Sequence, residues 1–114
     1  MEHPTSSLHS PAQLDAETTE LRRALDIVGD KWSALILYHL HRTGPSRFTA
    51  CQMAGLINTK TLTDRLVRLE KAGLLNRTEY NEYPPRTEYT LTDAGEKLIP
   101  ILRAMAGWSQ KHLQ

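Results

Sequence analysis

The residues best able to do chemistry lie between Asn58 and Arg77. Asn58-Thr59-Lys60-Thr61 and Thr63 put small amide, hydroxyl and ammonium groups on the first turn of a predicted helix. Lys60, Asp64, Arg68 and Lys71 share one face of that helix, Arg65 flanks it, and Leu62, Leu66 and Leu69 share another. Such a helix can bury its leucines and turn its donors outward. A small polar first turn fits the major groove and brings free backbone N–H groups near phosphate. Lys60, Arg65 and Arg68 have the reach for phosphates or guanine edges. Periodicity alone is also met by an ordinary surface helix with a solvated charged face, which is the commoner case.

Arg77 and Arg86 flank a second candidate contact. Leu74 to Tyr80 and Arg86 to Leu91 read as strands, and Asn81-Glu82-Tyr83-Pro84-Pro85 between them makes a hairpin. A basic hairpin beside a reading helix can grip the backbone or place a side chain in the minor groove. Arg86 is equally suited to pair with Glu88 or Glu79, and Glu82 at the tip is unfavourable beside phosphate. Arg47, just before the helical pair, joins the candidate DNA contacts.

The remaining chemistry-bearing residues point to no reaction. Cys51 is the single cysteine. That excludes an internal disulfide and a cysteine-based zinc site, and the residue reads as a small buried packing group rather than a sensor. His39 and His41 stand two apart and face different ways on a helix, so they form no metal pair. No Ser/His/Asp set, glycine-rich phosphate loop or carboxylate pair stands at a catalytic spacing. Trp32 and Trp108 read as core and dimer packing rather than as walls of a ligand pocket. The expectation is no enzyme activity, no metal and no cofactor.

These residues need elements to position them. Residues 1–14, with two prolines and several small polar residues, read as a mobile arm, and 15–114 as one domain. Asp15 caps a helix carrying Leu21, Ala24, Leu25 and Val28 at i, i+3, i+4, i+7, ended by Gly29. Asp30 caps a second, Lys31 to about His41, apolar nearly all round and so expected at the centre of the core. Gly44-Pro45 stops it. Ser46-Arg47-Phe48 makes a very short strand, and Thr49 to Ala54 a helix of about two turns. Gly55 breaks that helix, and Leu56-Ile57 supply a buried turn. Asn58 or Thr59 caps the donor-bearing helix, which runs to Ala72 with Gly73 after it. Thr92 caps a long last helix striped by Ala94, Leu98, Ile101, Met105 and Trp108, which Pro100 should kink or split. The fold class is therefore α+β and mostly helical: a helix-turn-helix followed by a β-hairpin, hence a winged helix with a two- to three-stranded wing sheet.

Composition agrees. The chain has 114 residues, 39% of them hydrophobic and 24% charged, enough for one core and too apolar for wholesale disorder. No apolar run is long enough to span a bilayer and no basic-then-apolar leader opens the chain, so a soluble, cytoplasmic protein without membrane contact is expected. Charge is unevenly spread. Residues 1–30 carry two basic residues against six acids, 31–86 nine against four, and 87–114 three against three. A basic middle fits a local anion-binding surface.

Three separated segments resemble one family. LRRALDIVGDKWSALI (Leu21 to Ile36) is similar to the opening helices of HxlR-type transcriptional regulators. KTLTDRLVRLEKAGLLNR (Lys60 to Arg77) resembles their recognition helix and first wing strand, and YPPRTEYTLTDAG (Tyr83 to Gly95) their wing. The resemblance covers about residues 19–110. It implies a homodimeric, cytoplasmic winged-helix regulator of double-stranded DNA whose first and last helices form the dimer interface, here Leu21, Leu25 and Val28 with Ile101, Met105 and Trp108. It leaves room for a small-molecule inducer of unidentified class. Two segments depart from the family. Where many members carry a sensing Cys-Pro pair this chain has Thr19-Glu20, and FTACQMAGL (Phe48 to Leu56) has fewer charges than usual. The alternative function is a winged helix that binds proteins and no DNA, motivated by Asp64, Glu79 and Glu82 within the basic surface.

Overall fold

The computed structural model describes residues 15–53 and 55–114; the expected arm at 1–14 lies outside them. In chain order the elements are α1 (Ala16–Val28), α2 (Lys31–Thr43), β1 (Ser46–Arg47), a single 3₁₀ turn (Ala50–Gln52), α3 (Thr59–Lys71), β2 (Leu75–Tyr80), β3 (Arg86–Leu91) and α4 (Asp93–His112). Each long helix starts on a side-chain cap. Asp15, Asp30, Asn58 and Thr92 accept from the backbone N–H three residues on, at 2.7, 2.9, 2.8 and 3.1 Å, as short polar side chains do where four N–H groups lack partners. The Thr92 hydroxyl also donates to the Gly73 carbonyl at 2.6 Å, tying the start of α4 to the end of α3.

The sheet is antiparallel in the order β1-β3-β2. Leu75 faces Leu91 and Tyr80 faces Arg86 across the hairpin, while Ser46 pairs with Tyr89 on the outer edge. Ile36, Leu37 and Leu40 of α2, Ile57, the three leucines of α3, Leu75 and Tyr89 form one core, with Ile99 of α4 also buried. This is a mostly helical winged-helix architecture, as the residue patterns predict.

Five local expectations need correction. The helix over Thr49 to Ala54 is one 3₁₀ turn: Cys51 N–H donates to Phe48 O and Met53 N–H to Ala50 O, and Met53 sits at φ 52°, left-handed, which ends it. Leu56 is exposed and only Ile57 is buried in the turn before α3. Helix α2 runs two residues past His41, to Thr43, where Gly44 at φ 78° takes over. It is buried along Ser33, Ile36, Leu37 and Leu40 rather than all round, and Leu35 is exposed. Pro100 does not split α4, which is continuous through it; the ring stands on an exposed position and removes only one N–H from the ladder.

Helix α4 is held to α2 by polar contacts. The Arg103 guanidinium donates to His41 Nε2 at 2.9 Å, and His41 Nδ1 meets Glu96 Oε1 at 3.0 Å. Arginine has donors only, so Nε2 accepts and Nδ1–H donates. Helix α1, by contrast, buries no residue.

Candidate nucleic-acid interface

Helix α3 has the divided faces its sequence predicts. Leu62, Leu66 and Leu69 are buried against α2 and the sheet, which fixes the helix about its own axis. The opposite face is left to solvent: Asn58, Thr59, Lys60, Thr63 and Arg68 are exposed, and Thr61 is half-buried. Asn58 spends its side-chain carbonyl on the Thr61 N–H. Gln52 of the 3₁₀ turn donates to the Thr59 hydroxyl at 3.4 Å, which links the two halves of the helix-turn-helix. Lys60 makes no ion pair among the described residues, so its ammonium is free for an anion.

The arginines differ sharply. Arg65 is engaged: its Nε donates to Asp30 Oδ2 at 2.7 Å, Nη2 to Asp30 Oδ1 at 3.2 Å, and Nη1 to Asp64 at 2.6 Å. Only about a quarter of the side chain is exposed. The hydrogen bonds from Arg65, with those from Ser33, hold the Asp30 carboxyl down to about 2 against the cost of its burial. Asp30 thus caps α2 and fastens α3 to it with one carboxylate. Arg68 is open, with Asp64 3.9 Å away.

In the wing, Arg77 pairs with Glu79 on an exposed stretch of β2. Its guanidinium pKa is raised by hydrogen bonding to Tyr89, then by the charge of Glu79. Arg86 is more tightly held. It grips Glu82 through two nitrogens at 2.9 and 3.2 Å, pairs with Glu88, and lies 4.0 Å over the Tyr80 ring. The Glu82 carboxyl that would repel phosphate is paired with Arg86, which Glu88 shares. The wing tip presents Tyr83 with its ring wholly exposed. The sequence signal for it is an aromatic side chain in a polar, proline-bounded turn, where no core can take it. Arg47 is exposed on β1 and close enough to Glu82 for its charge to be felt there.

Cys51 is fully buried, and burial pushes its thiol up to about 11. That is the environment of an inert packing cysteine, since the thiolate is the reactive form. Among the described residues no group of histidine, cysteine or carboxylate side chains could hold a metal, and no helix is long and apolar enough to cross a membrane.

The residues expected at a dimer interface do not cover one another within the chain. Leu21, Leu25, Ile101, Met105 and Trp108 are all about half exposed. Ile101, Ala104, Met105, Trp108 and Leu113 surround an apolar hollow of about 490 Å³ on α4. A second hollow of about 290 Å³, lined by Ala24 and Ile27 of α1 and by Leu98 and Ile101 of α4, joins the two helices.

Comparison with known proteins bears on the whole of this geometry. The model of the HxlR-like helix-turn-helix matches residues 27–114. An uncharacterized HTH-type transcriptional regulator of Halalkalibacterium halodurans, BH0655, is 38% identical over 97 residues, covering 84% of this chain and 86% of that protein. The uncharacterized HTH-type transcriptional regulator YdeP of Bacillus subtilis is 36% identical, covering 86% and 77%. Among solved structures, the reduced form of the transcriptional regulator YodB from B. subtilis superposes with a TM-score of 0.75 at 29% identity, covering 83% of this chain and 93% of that one. The redox regulator HypR in its oxidized form superposes at 0.74 with 32% identity, covering 83% and 98%.

Proposed function

The chain belongs to the HxlR-like helix-turn-helix family of transcriptional regulators, and from that membership we propose that it acts in the cytoplasm as a homodimer that reads double-stranded DNA with α3. It is a regulator and not an enzyme. The observation that carries the reading is the outer face of α3, where Lys60, Thr63 and Arg68 stand exposed while Leu62, Leu66 and Leu69 hold the helix from behind. Residues 15–114 act as one unit, with α1 and α4 as the dimer helices.

The contact set in this reading is Arg47, Asn58, Thr59, Lys60, Thr61, Thr63, Arg68 and Arg77. Arg68 pairs only with the exposed Asp64 carboxylate, and such pairs are worth about 0–1 kcal/mol, so phosphate or a guanine edge displaces it easily; Arg77 is held by Tyr89 as well as by the exposed Glu79. Arg65 and Arg86 serve differently: Arg65 sets the angle of α3 through Asp30, and Arg86 holds the wing loop so that Tyr83 faces the DNA backbone or minor groove. Asp64, Glu79 and Glu82, which motivate the protein-binding alternative, each stand beside an arginine. A two-fold dimer would place its recognition helices about 34–36 Å apart on a palindromic site. The exposed apolar stripes of α1 and α4 support that dimer, since the described residues of one chain leave both uncovered.

The test is binding to genomic fragments across a salt series. Lys60→Ala should weaken binding to all sequences alike and lower the salt slope by about one unit. Arg68→Ala should cost about 1–3 kcal/mol if it reads a base, and relax preference at that position. Retention of full affinity, selectivity and salt slope in the double variant would remove α3 as the reader.

A further inference from the structure

The wing loop between β2 and β3 runs from Asn81 to Pro85, and every residue in it is exposed. It carries no lysine or arginine. The adjacent cation, Arg86, is engaged: its guanidinium grips Glu82 through two nitrogens, pairs with Glu88 and covers the Tyr80 ring. The Glu82 N–H donates to the Tyr80 carbonyl at 2.9 Å, and Pro84 and Pro85 have φ fixed by their rings. The loop is thus held on both sides of one large side chain. At 101% relative exposure, Tyr83 is the least covered large hydrophobic residue among those described. With Arg86 occupied, its ring is what the wing tip has to offer a groove.

We infer that Tyr83 is a specificity-determining residue: its ring enters the minor groove beside each half-site and selects A·T over G·C pairs there. This rests on the reading of α3 as the DNA helix. The reach is right. Leu75, at the base of the hairpin, shares the core with the leucines of α3, and from Leu75 to Tyr80 a strand advances about 17 Å. A major groove and its neighbouring minor groove are half a helical turn apart, also about 17 Å. The chemistry is right as well. The minor groove is about 6 Å wide, and its floor differs between pairs chiefly by the N2 amino group of guanine. A flat ring can lie edge-in between the sugar walls of an A·T stretch, whereas that amino group fills the floor the ring would occupy. A cation would bind the phosphates of any sequence alike; an uncharged ring binds by fit. A protein partner suits Tyr83 less well. Its loop neighbours are Asn81, Glu82 and two prolines, not the contiguous apolar patch that marks a protein interface.

The test uses the full chain and a duplex that it selects from a random-sequence pool. About five base pairs, a half-turn, outside each half-site are made all A·T, all G·C or all I·C. Hypoxanthine keeps the major-groove acceptors of guanine and lacks its N2 amino group. Wild type should bind the A·T and I·C duplexes alike and the G·C duplex about tenfold more weakly, within what one mismatched pair costs. Tyr83→Ala should bind all three alike, and Tyr83→Phe should keep the preference. Both variants should melt as wild type does, because the ring is uncovered. Three results would each overturn the contact: wild type that treats I·C flanks as it treats G·C, Tyr83→Ala that keeps the full preference, or Tyr83→Phe that loses it. So would a Tyr83→Ala protein whose self-association changes while its flank preference does not, which would assign the ring to a protein contact. Scrambled half-sites with A·T flanks are the separate readout. A loss of affinity there without any flank preference leaves α3 standing as the reader and rejects Tyr83 alone; no loss there, or no duplex selected at all, rejects the function proposed for α3 and the wing contact with it.

Discussion

The Asp30–Arg65 pair should behave as a measurable brace between α2 and the reading helix. A carboxyl held at about 2, against 3.8 ordinarily, corresponds to about 2.5 kcal/mol of linked stability at neutral pH. About a fifth of each side chain remains in water, and solvent screening brings the expectation down to about 1–2 kcal/mol. The folded pKa lies below the unfolded one, so this contribution is complete above about pH 4 and is lost as the pH falls from about 4 to about 2. Asp30→Asn isolates the effect, because asparagine still caps α2 but carries no charge. Urea unfolding at several pH values should show the variant about 1–2 kcal/mol less stable than wild type at pH 7, with the gap narrowing below about pH 4 to roughly a third of that by pH 2.5. Asp30→Ala should lose about a further 1 kcal/mol through the cap. Arg65→Met made in the Asp30→Asn background should cost markedly less than in wild type. A gap that stays constant between pH 7 and 2.5, or additive single variants, would refute the brace and return Arg65 to the pool of free DNA contacts.

Met105→Asp should dissociate the dimer and remove specific DNA binding together, read by sedimentation and by titration of operator DNA; a wild-type protein that sediments as a monomer at micromolar concentration contradicts the assembly. Gly95→Ala should destabilise by about 1–3 kcal/mol in thermal unfolding, because its Cβ would stand 2.4 Å from the Leu74 carbonyl oxygen; an unchanged melting temperature would mean that α4 and the β2 entry slide apart freely. Cys51 should resist iodoacetamide at neutral pH in the folded protein, its thiol being buried and held up to about 11; fast stoichiometric alkylation, with loss of DNA binding that Cys51→Ser does not show, would make it a sensor after all.

Local signals in the chain were enough for most of the architecture. The four caps, the leucine spacing of α3 and the strand alternation of Arg86 to Leu91 are short-range patterns, since capping and helical periodicity involve residues three or four apart. The outward polar face of α3 was legible for the same reason. The segment from Thr49 to Leu56 was less so: nothing nearby distinguishes two α-turns from one 3₁₀ turn, or shows that Leu56 faces water while Ile57 faces the core. Pro100 does not split α4, because its ring stands on the exposed side and removes only one N–H from the ladder.

What only the tertiary structure decided is which charges are free. Asp30 and Arg65 are 35 residues apart and meet at 2.7 Å; His41, Glu96 and Arg103 come together over similar or greater separations. Sequence alone determined that a basic helix with a leucine back exists here. It ranked Arg65 and Arg86 beside Lys60 and Arg68, because a guanidinium's reach is several ångströms and its partner is chosen by whichever carboxylate the folded backbone brings within that reach.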